Sequence, residues 1–288
     1  MKFLFVGNRS YVFEKMLDLK CDIVAIFAVK DSYLEKKLQK LNIDYKRIES
    51  KTHLINNIEA IDFDCLVSNG CPYILPVSDM KKSHQLFVNI HPSLLPDLKG
   101  KNPINGAVLF DRRHGVTCHH MDDGIDTGKV IEQIEIPITE DTELGLLYQI
   151  SFMAEGEVFK NAFDTSFKSN NLINENVDAI YYSRSKEDMI ITKKDTLNQA
   201  IRKIRAFGIP SLGTKFFKKD KEYIIIGVKI ISNNSIKNIY KNAENGSVLF
   251  SYDNKVLVII NNKYVQFEMV DSSGIQPRES FFGFSLKS

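Results

Sequence analysis

The first half of the chain alternates short apolar runs with segments of helical periodicity. Apolar runs that predict buried strands lie at 2–7, 21–29, 62–70, 84–93, 114–121 and 129–138, and a short edge strand is expected at 43–49. Helices are predicted between them at 11–19, 31–42 and 105–111. Strands separated by helices are typical of βαβ crossovers, so this half predicts an α/β fold with a mostly parallel, Rossmann-like sheet.

A long helix is predicted next, over residues 142–163, because apolar residues recur there at helical spacing. Its apolar stripe comprises Leu144, Leu147, Met153, Ala154, Val158 and Phe159. We expect this stripe to pack on the sheet. The following segment, 167–179, is rich in Asn and poor in aromatic residues, which indicates a linker.

The last third of the chain has a different pattern. A helix at 195–207 is expected to begin at a capping box formed by Thr196 and Gln199. Short β runs between 221 and 270 are broken by Asn, Gly and Asp turns, which predicts a small antiparallel, OB-like β domain. We therefore expect an α/β domain at 1–166, a linker and connecting helix at 167–209, and the β domain at 210–288.

Composition and charge narrow the function classes. The 38 basic and 36 acidic residues leave a net charge of +2, too even for broad binding to nucleic acid. No run of 18 apolar residues predicts a membrane span, and the N-terminal apolar run is too short for a secretion signal, so we expect a cytoplasmic protein. The four cysteines form no CxxC pair, so we expect reduced thiols and no metal site.

Two common nucleotide-binding motifs are missing from the sequence. The first predicted strand is followed by a single glycine, Gly7, in GNRS rather than by G-x-G-x-x-G. The P-loop pattern G-x-x-x-x-G-K-[ST] does not occur either. A dinucleotide held by the first helix and a P-loop nucleotide hydrolase are therefore both disfavoured.

Candidate chemistry is concentrated in VNIHPSLLPDLKGKNPINGA and GVTCHHMDDGIDTGKVI, at 88–107 and 115–131. Each stretch is a predicted strand followed by a loop, and α/β sheets place their sites where strands end. Asn89 and His91 are two residues apart on an extended chain, so their side chains point to the same side. Asp126 lies in the second loop, which we expect a parallel neighbouring strand to bring to the same edge.

An Asn, a His and an Asp in one place are suited to acyl transfer onto an amine. The carboxamide and an imidazolium can hydrogen-bond a developing oxyanion. The His and the Asp can relay the proton that the attacking amine must lose. From the residues alone, ordinary capping or packing roles stay open for Asn89, His91 and Asp126.

The order and spacing of these motifs closely resemble the folate-dependent formyltransferases. The resemblance rests on N-x-H-P-S-L-L-P, then G-x-x-P-I, then G-V-T-x-H-x-M-D-x-G-x-D-T-G, and it is strongest over about 60–140. It implies N10-formyltetrahydrofolate as donor and no metal. Asn89, His91 and Asp126 match the catalytic residues of the family, with Asn89 on the formyl oxygen and Asp126 beside His91. His119 matches a histidine that supports the site.

The resemblance also implies positions for the two substrates. The backbone of Tyr73, Ile74, Leu75, Asp122, Asp123 and Gly124 is expected to read the pterin of the folate. Ser93, Lys101 and Pro103 are expected beside the acceptor, and Gly100 belongs to the same loop. Arg9 and Arg184 are candidates for a diphosphate, because a guanidinium binds phosphate oxygens in pairs; surface charge is the alternative interpretation of both.

Three classes of acceptor occur in the family, and this sequence favours nucleotide-linked amino sugars. The net charge is nearly zero, whereas an enzyme that binds tRNA normally has a positive face. GNRS stands in place of the G-T-P of the tRNA enzymes, and the segments 67–76 and 181–192 resemble those of the sugar enzymes. The favoured acceptor is a dTDP-4-amino-4,6-dideoxyhexose for surface polysaccharide, with a homodimer expected by analogy. A methionyl-tRNA formyltransferase and a non-catalytic folate- or sugar-binding homologue stay open as alternatives.

Overall fold

A computed structural model describes residues 1–169 and 178–287, and it divides into two compact units. The first unit comprises 1–104, 113–139 and 148–182, and the second comprises 105–112, 140–147 and 183–288. Residues 170–177 of the predicted linker lie outside the described part of the chain. The described ends of that predicted segment, at 167–169 and 178–179, contain no helix or strand.

The first unit is built on a seven-stranded sheet. Its strands are β1 Lys2–Gly7, β2 Asp22–Ala28, β3 Lys46–Arg47, β4 Cys65–Asn69, β5 Leu86–His91, β6 Gly115–His120 and β7 Val130–Glu135. The sheet order is β3-β2-β1-β4-β5-β6-β7. Strands β1 to β5 are parallel, whereas β6 and β7 run antiparallel to their neighbours. The prediction of a mostly parallel α/β sheet is therefore confirmed.

Six α-helices accompany the strands of this sheet along the chain. They are α1 Tyr11–Asp18, α2 Tyr33–Leu41, α3 Lys51–Glu59, α4 Val77–Met80, α5 Pro103–Phe110 and α6 Leu144–Asp164. The sequence analysis did not assign α3 or α4, which carry short or weakly amphipathic apolar patterns. No helix in the described part of the chain is long and apolar enough to cross a membrane.

The central strand β1 is buried from Phe3 to Val6, because β2 and β4 pair with its two edges and helices cover the faces of the sheet. Helix α6 was predicted to turn Met153 inward, but 57% of that residue's surface is exposed. The buried side of α6 keeps Leu147 and Val158 of the predicted stripe and adds Ala162 and two polar residues, Ser151 and Glu155. Intervals of three and four residues keep these positions on one side of the helix.

The second unit contains a five-stranded antiparallel sheet of order β10-β11-β12-β9-β8. The elements are α7 Leu197–Phe207, β8 Thr214–Lys218, β9 Lys221–Ile231, α8 Asn234–Ile239, β10 Val248–Tyr252, β11 Lys255–Ile260 and β12 Lys263–Met269. Helix α7 begins at Thr196 with the predicted capping box to Gln199. Its buried residues Leu197 and Ile204 pack in one apolar cluster with residues of the sheet such as Phe216. The predicted antiparallel β domain is therefore present.

Candidate active site

The structure brings Asn89, His91 and Asp126 together at the carboxyl end of β5. Asn89 and His91 lie on that strand, and the loop after β6 carries Asp126. Asp126 Oδ2 is 3.5 Å from His91 Nδ1, and Asp126 Oδ1 accepts a hydrogen bond of 3.4 Å from Asn89 Nδ2. The prediction that a parallel neighbouring strand brings Asp126 to this edge is wrong, because β6 pairs antiparallel with β5. The loop itself, rather than the strand direction, returns Asp126 to the edge.

His91 is held as a neutral imidazole with a defined tautomer. Its Nε2 lies 3.0 Å from the carbonyl oxygen of Leu98, which only accepts, so Nε2 carries the proton. The lone pair of Nδ1 then faces the Asp126 carboxylate. Burial lowers the pKa of His91 below its ordinary value, against the opposing attraction of Asp126. A proton that reaches Nδ1 would face the Asp126 carboxylate, and the resulting imidazolium would lie between two acceptors, that carboxylate and the Leu98 carbonyl.

A second histidine orients the Asn89 carboxamide. His119 lies directly across from Asn89 on β6, and its Nδ1 donates to the carbonyl oxygen of His120 over 2.7 Å. The lone pair of His119 Nε2 therefore accepts from Asn89 Nδ2, 3.1 Å away. This chain of donors directs the amide nitrogen of Asn89 towards Asp126. The supporting role expected for His119 thus has a defined geometry.

Asp126 is kept ionised although it is mostly buried. Burial disfavours its charge, but the polar groups around it, among them the backbone amide of Gly100, hold its pKa below the ordinary range. Gly100 N donates to Oδ2 over 3.0 Å. Gly100 has φ +108, and a Cβ there would lie 2.5 Å from the carbonyl oxygen of Tyr182. Only glycine therefore fits this loop position.

The residues expected to read the pterin lie in two segments that meet. Asp123 Oδ1 accepts from the backbone amide of Ser78 over 3.0 Å, which joins the 122–124 turn to the segment after β4. Asp122 Oδ1 accepts from the Gly124 amide and from the hydroxyl of Thr127, which closes the turn. The side chains of both aspartates are therefore engaged in shaping the loop.

The segment expected to line the folate pocket, 71–76, follows β4. Leu75 is buried in an apolar cluster with residues of β1 and β4, and Tyr73 packs partly buried against the same cluster. Ile74 points away from it and is 50% exposed. Together with Ile125, 38% exposed, it is a large apolar side chain left accessible beside these loops.

The residues expected beside the acceptor differ in exposure. Ser93 is fully buried, and its hydroxyl donates to the carbonyl oxygen of Asp97 over 2.8 Å, so it braces the loop. Pro103 is buried at the start of α5, whereas Lys101 is exposed two residues earlier. Lys101 is therefore the one of the three whose side chain is accessible to a solute.

The two arginines proposed for a diphosphate lie in different units, Arg9 in the first and Arg184 in the second. Arg184 is partly buried in the irregular segment before α7. Arg9 follows the carboxyl end of β1, and its Nε donates to Glu155 Oε2 over 2.8 Å. Its guanidinium also lies 5.2 Å from the centre of the Phe152 ring. Arg9 is thus a fixed cation and not a loose surface charge.

The sequence analysis missed the polar groups that surround Arg9. Glu155 is fully buried, and burial raises its pKa despite the Arg9 guanidinium. Asn69, at the end of β4, is also fully buried, and its Oδ1 has no hydrogen-bond partner among the described residues. Buried polar atoms without partners are uncommon, and they are found at sites that receive a ligand. The sequence offered one signal for these groups. Glu155 is an acidic residue among the apolar residues of the helix predicted at 142–163.

The arrangement supports acyl transfer to an amine. A carboxylate that stays charged, a neutral imidazole and an oriented carboxamide lie within hydrogen-bonding reach of one another. The carboxamide can donate to an oxyanion, and the carboxylate can take a proton from an amine. In the described part of the chain, no group of three His, Cys, Asp or Glu residues is arranged to hold a metal ion.

Comparison with known proteins bears directly on this site. The family model described as formyl transferase matches residues 22–163, which include the cluster. The methionyl-tRNA formyltransferase of Syntrophus aciditrophicus is 37% identical over 92 residues, which is 32% of this chain and 30% of that protein. This chain therefore spans less than a third of that relative's length.

Two solved structures share the fold over nearly the whole chain. WlaRD, a sugar 3N-formyl transferase crystallised in the presence of dTDP and 5-N-formyl-THF, has a TM-score of 0.73 at 20% identity, covering 94% of this chain and 98% of its own. The N-formyltransferase of Helicobacter canadensis, in complex with folinic acid and dTDP-3-aminofucose, has a TM-score of 0.68 at 20% identity, with coverage of 93% and 99%. At this identity the likeness concerns the fold. Residues 22–163 of this chain therefore match the model of the formyl transferase family.

Proposed function

We propose that this protein is an N-formyltransferase that moves a formyl group from N10-formyltetrahydrofolate to the amine of a nucleotide-linked sugar. The observation that carries the proposal is the buried cluster of Asn89, His91 and Asp126, because its three groups match the three needs of the reaction. The reaction needs a hydrogen-bond donor to the oxyanion, a base that takes the proton of the amine, and a group that holds this base in place.

The reaction proceeds by direct attack. The neutral amine adds to the formyl carbon, and the new carbon–nitrogen bond leaves a negative charge on the formyl oxygen. Asn89 Nδ2 keeps one hydrogen on His119 and turns the other, which reaches Asp126 over 3.4 Å in the free protein, to that oxygen. Asp126 takes the proton of the amine, directly or through His91 Nδ1. The bond from carbon to N10 then breaks, N10 gains a proton, and tetrahydrofolate leaves.

The donor is assigned to the loops next to the cluster. The 122–124 turn and the segment containing Tyr73, Ile74 and Leu75 are joined by the Asp123–Ser78 hydrogen bond and expose apolar surface. A pterin and its aromatic linker need such a surface with backbone groups at its edge. Folate derivatives accompany the two sugar formyltransferase structures of the same fold, which supports this donor.

The acceptor is assigned to the amino-sugar class on the sequence features and on the extent of the fold likeness. The fold likeness to a sugar 3N-formyl transferase covers 94% of this chain, whereas the sequence matches to methionyl-tRNA formyltransferases cover 32% of it in one case and 51% in another. Within this class we propose a dTDP-4-amino-4,6-dideoxyhexose used for surface polysaccharide. The homodimer and the cytoplasmic location stay predictions of the sequence.

Mass spectrometry of the products tests the proposal. The protein is incubated with N10-formyltetrahydrofolate and a panel of dTDP-, UDP- and GDP-linked amino sugars, with initiator methionyl-tRNA alongside. A gain of one formyl group on a sugar, lost in the Asp126→Asn variant, is the expected result. If only the tRNA is formylated, the proposed sugar acceptor is wrong and the acceptor is methionyl-tRNA. If the protein binds folate but formylates no acceptor of the panel, the result contradicts the proposed activity and favours a non-catalytic role.

A further inference from the structure

A cavity of about 430 Å³ lies between helices α1, α2 and α6 of the first unit. Its lining includes Arg9, Tyr11, Tyr33, Lys36, Lys40 and Phe152. Cavities of this size accommodate small molecules such as nucleotides. Its lining includes Arg9, which the sequence suggested for a diphosphate, but not Asn89, His91 or Asp126.

The cavity carries an excess of positive charge. Four cationic side chains line it, and the one lining carboxylate, Glu14, is already paired with Lys37 over 2.7 Å. Lys36 and Lys40 lie one turn apart on α2, on its exposed side, without an acidic partner in the described part of the chain. Cations gathered in a concave site without counter-charges favour a multiply charged anion.

Aromatic rings stand beside these cations. Tyr33, the first residue of α2, leaves 69% of its surface exposed, which is unusual for so large a ring. Phe152 of α6 lies under the Arg9 guanidinium, and the hydroxyl of Tyr11 on α1 donates to Gln149 Oε1 over 3.4 Å. Exposed rings among Lys and Arg are typical of surfaces that stack a nucleobase and hold its phosphates.

Arg9 links the cavity to the catalytic edge. The fully buried Glu155 fixes its guanidinium from behind through the 2.8 Å bond to Nε. Arg9 is also close enough to His91 for its charge to contribute to the lowered pKa of that imidazole. A ligand that spans the cavity and passes Arg9 therefore extends towards the reacting amine.

We propose that this cavity holds the nucleoside diphosphate of the acceptor, with Arg9, Lys36 and Lys40 on the phosphates and Tyr33 against the base. Glu155 is a positioning residue for Arg9. The inference rests on the proposed function and adds the residues that recognise the nucleotide half of the substrate. An amino sugar attached to the diphosphate would then reach past Arg9 to the cluster at β5.

Binding of dTDP alone, measured by isothermal titration calorimetry, tests the inference without turnover. We expect Lys36→Ala with Lys40→Ala, and separately Tyr33→Ala, to weaken dTDP binding by about 10-fold or more, because each loses a direct contact. Lys51→Ala with Lys241→Ala removes two exposed lysines outside the cavity and serves as the matched control. The control is expected to keep the affinity of the wild type. Equal affinity in cavity and control variants would overturn the inference.

Turnover separates this inference from the proposed function. In the cavity variants the KM of the sugar nucleotide should rise while the KM of the formyl donor and kcat stay within about 2-fold, since the reacting groups are untouched. If the wild type binds dTDP but formylates no sugar nucleotide, the proposed function fails and the cavity assignment stands. If the wild type formylates the sugar and the cavity variants keep its KM, only the cavity assignment fails. Loss of methionyl-tRNA binding without loss of dTDP binding would assign the cavity to RNA and overturn the inference.

Discussion

His91 and Asp126 form a buried pair in which Nδ1 of the imidazole lies 3.5 Å from Oδ2 of the carboxylate. The Leu98 carbonyl fixes the proton of His91 on the opposite nitrogen, so the unprotonated Nδ1 and the charged carboxylate face each other. Such a pair gains stability only when a proton arrives between the two groups. Its geometry is therefore suited to a reaction in which an amine loses a proton.

Replacement of Asp126 by Asn should remove the proton acceptor while the loop keeps its shape. We expect kcat to fall by about 100-fold to 10,000-fold, the range for removal of a general base. Folate binding should stay within about 2-fold, since Asp126 is not among the pterin contacts. Equilibrium binding of a stable folate analogue and formylation kinetics measure the two quantities. Asp164→Asn, a surface change at the end of α6, is the control.

Truncation of Asn89 to Ala should remove the oxyanion donor. The loss of one such donor lowers kcat by about 100-fold to 1,000-fold. His119→Ala should reproduce part of that loss with Asn89 still present, because Asn89 Nδ2 then loses the acceptor 3.1 Å away that orients it. His119→Gln, whose carbonyl can accept the same bond, is expected to recover activity. Full activity in His119→Ala would contradict the positioning role.

The rate should depend on pH through the substrate amine. An amine attacks only when neutral, so kcat/KM is expected to rise with pH until the ammonium of the sugar is deprotonated. Burial lowers the pKa of His91, and its neighbours lower the pKa of Asp126, so both groups keep their working forms across that range. Kinetics with two acceptors whose amines differ in pKa would check this. The pH at which kcat/KM rises should shift with the pKa of the acceptor amine, whereas a group of the enzyme would keep it constant.

A buried histidine outside the cluster should make folding sensitive to acid. His114 donates to or accepts from Ser151 Oγ over 2.8 Å, and burial lowers its pKa to about 4. Below pH about 6.5 the unfolded chain binds a proton at this residue that the folded chain refuses, so stability falls as the pH drops towards 4. The loss amounts to roughly 3 kcal/mol if the site stays closed. Denaturant titrations from pH 7 to pH 4, with His114→Gln as comparison, measure it; a variant with the same pH slope would contradict the assignment.

A side chain at Gly70 should be destabilising, because the backbone there is left-handed and the Asn8 and Arg9 side chains would have to move. Gly70 has φ +80, and a Cβ there would lie 2.1 Å from Asn8 Oδ1 and 3.0 Å from Arg9 Nη1. Gly70→Ala should lower the free energy of unfolding by about 2–4 kcal/mol, through left-handed strain and crowding together. It should also raise the KM of the acceptor, because Arg9 must move. Gly246→Ala is the matched control, since Gly246 has φ +86 with nothing within 4 Å; it should cost only about 1 kcal/mol.

The local order of apolar and polar residues was sufficient to predict most helices and strands of the fold. The predicted strand at 2–7 coincides with β1, because an apolar run closed by a turn residue leaves little choice of conformation, and the β runs predicted between 221 and 270 include β9. The capping box at Thr196 and Gln199 is likewise a local feature. Helices α3 and α4 were missed, since one has a weak apolar face and the other has four residues.

The sequence by itself determined the α/β class, the antiparallel β domain and the membership of Asn89, His91 and Asp126 in one motif, because these depend on residue order and spacing. Only the tertiary structure decided that β6 runs antiparallel and that the loop after it returns Asp126 to β5. It also decided that Arg9 is braced by Glu155, a residue 146 positions away. Contacts between residues so distant in the chain leave no periodic trace in the sequence, because packing alone selects them.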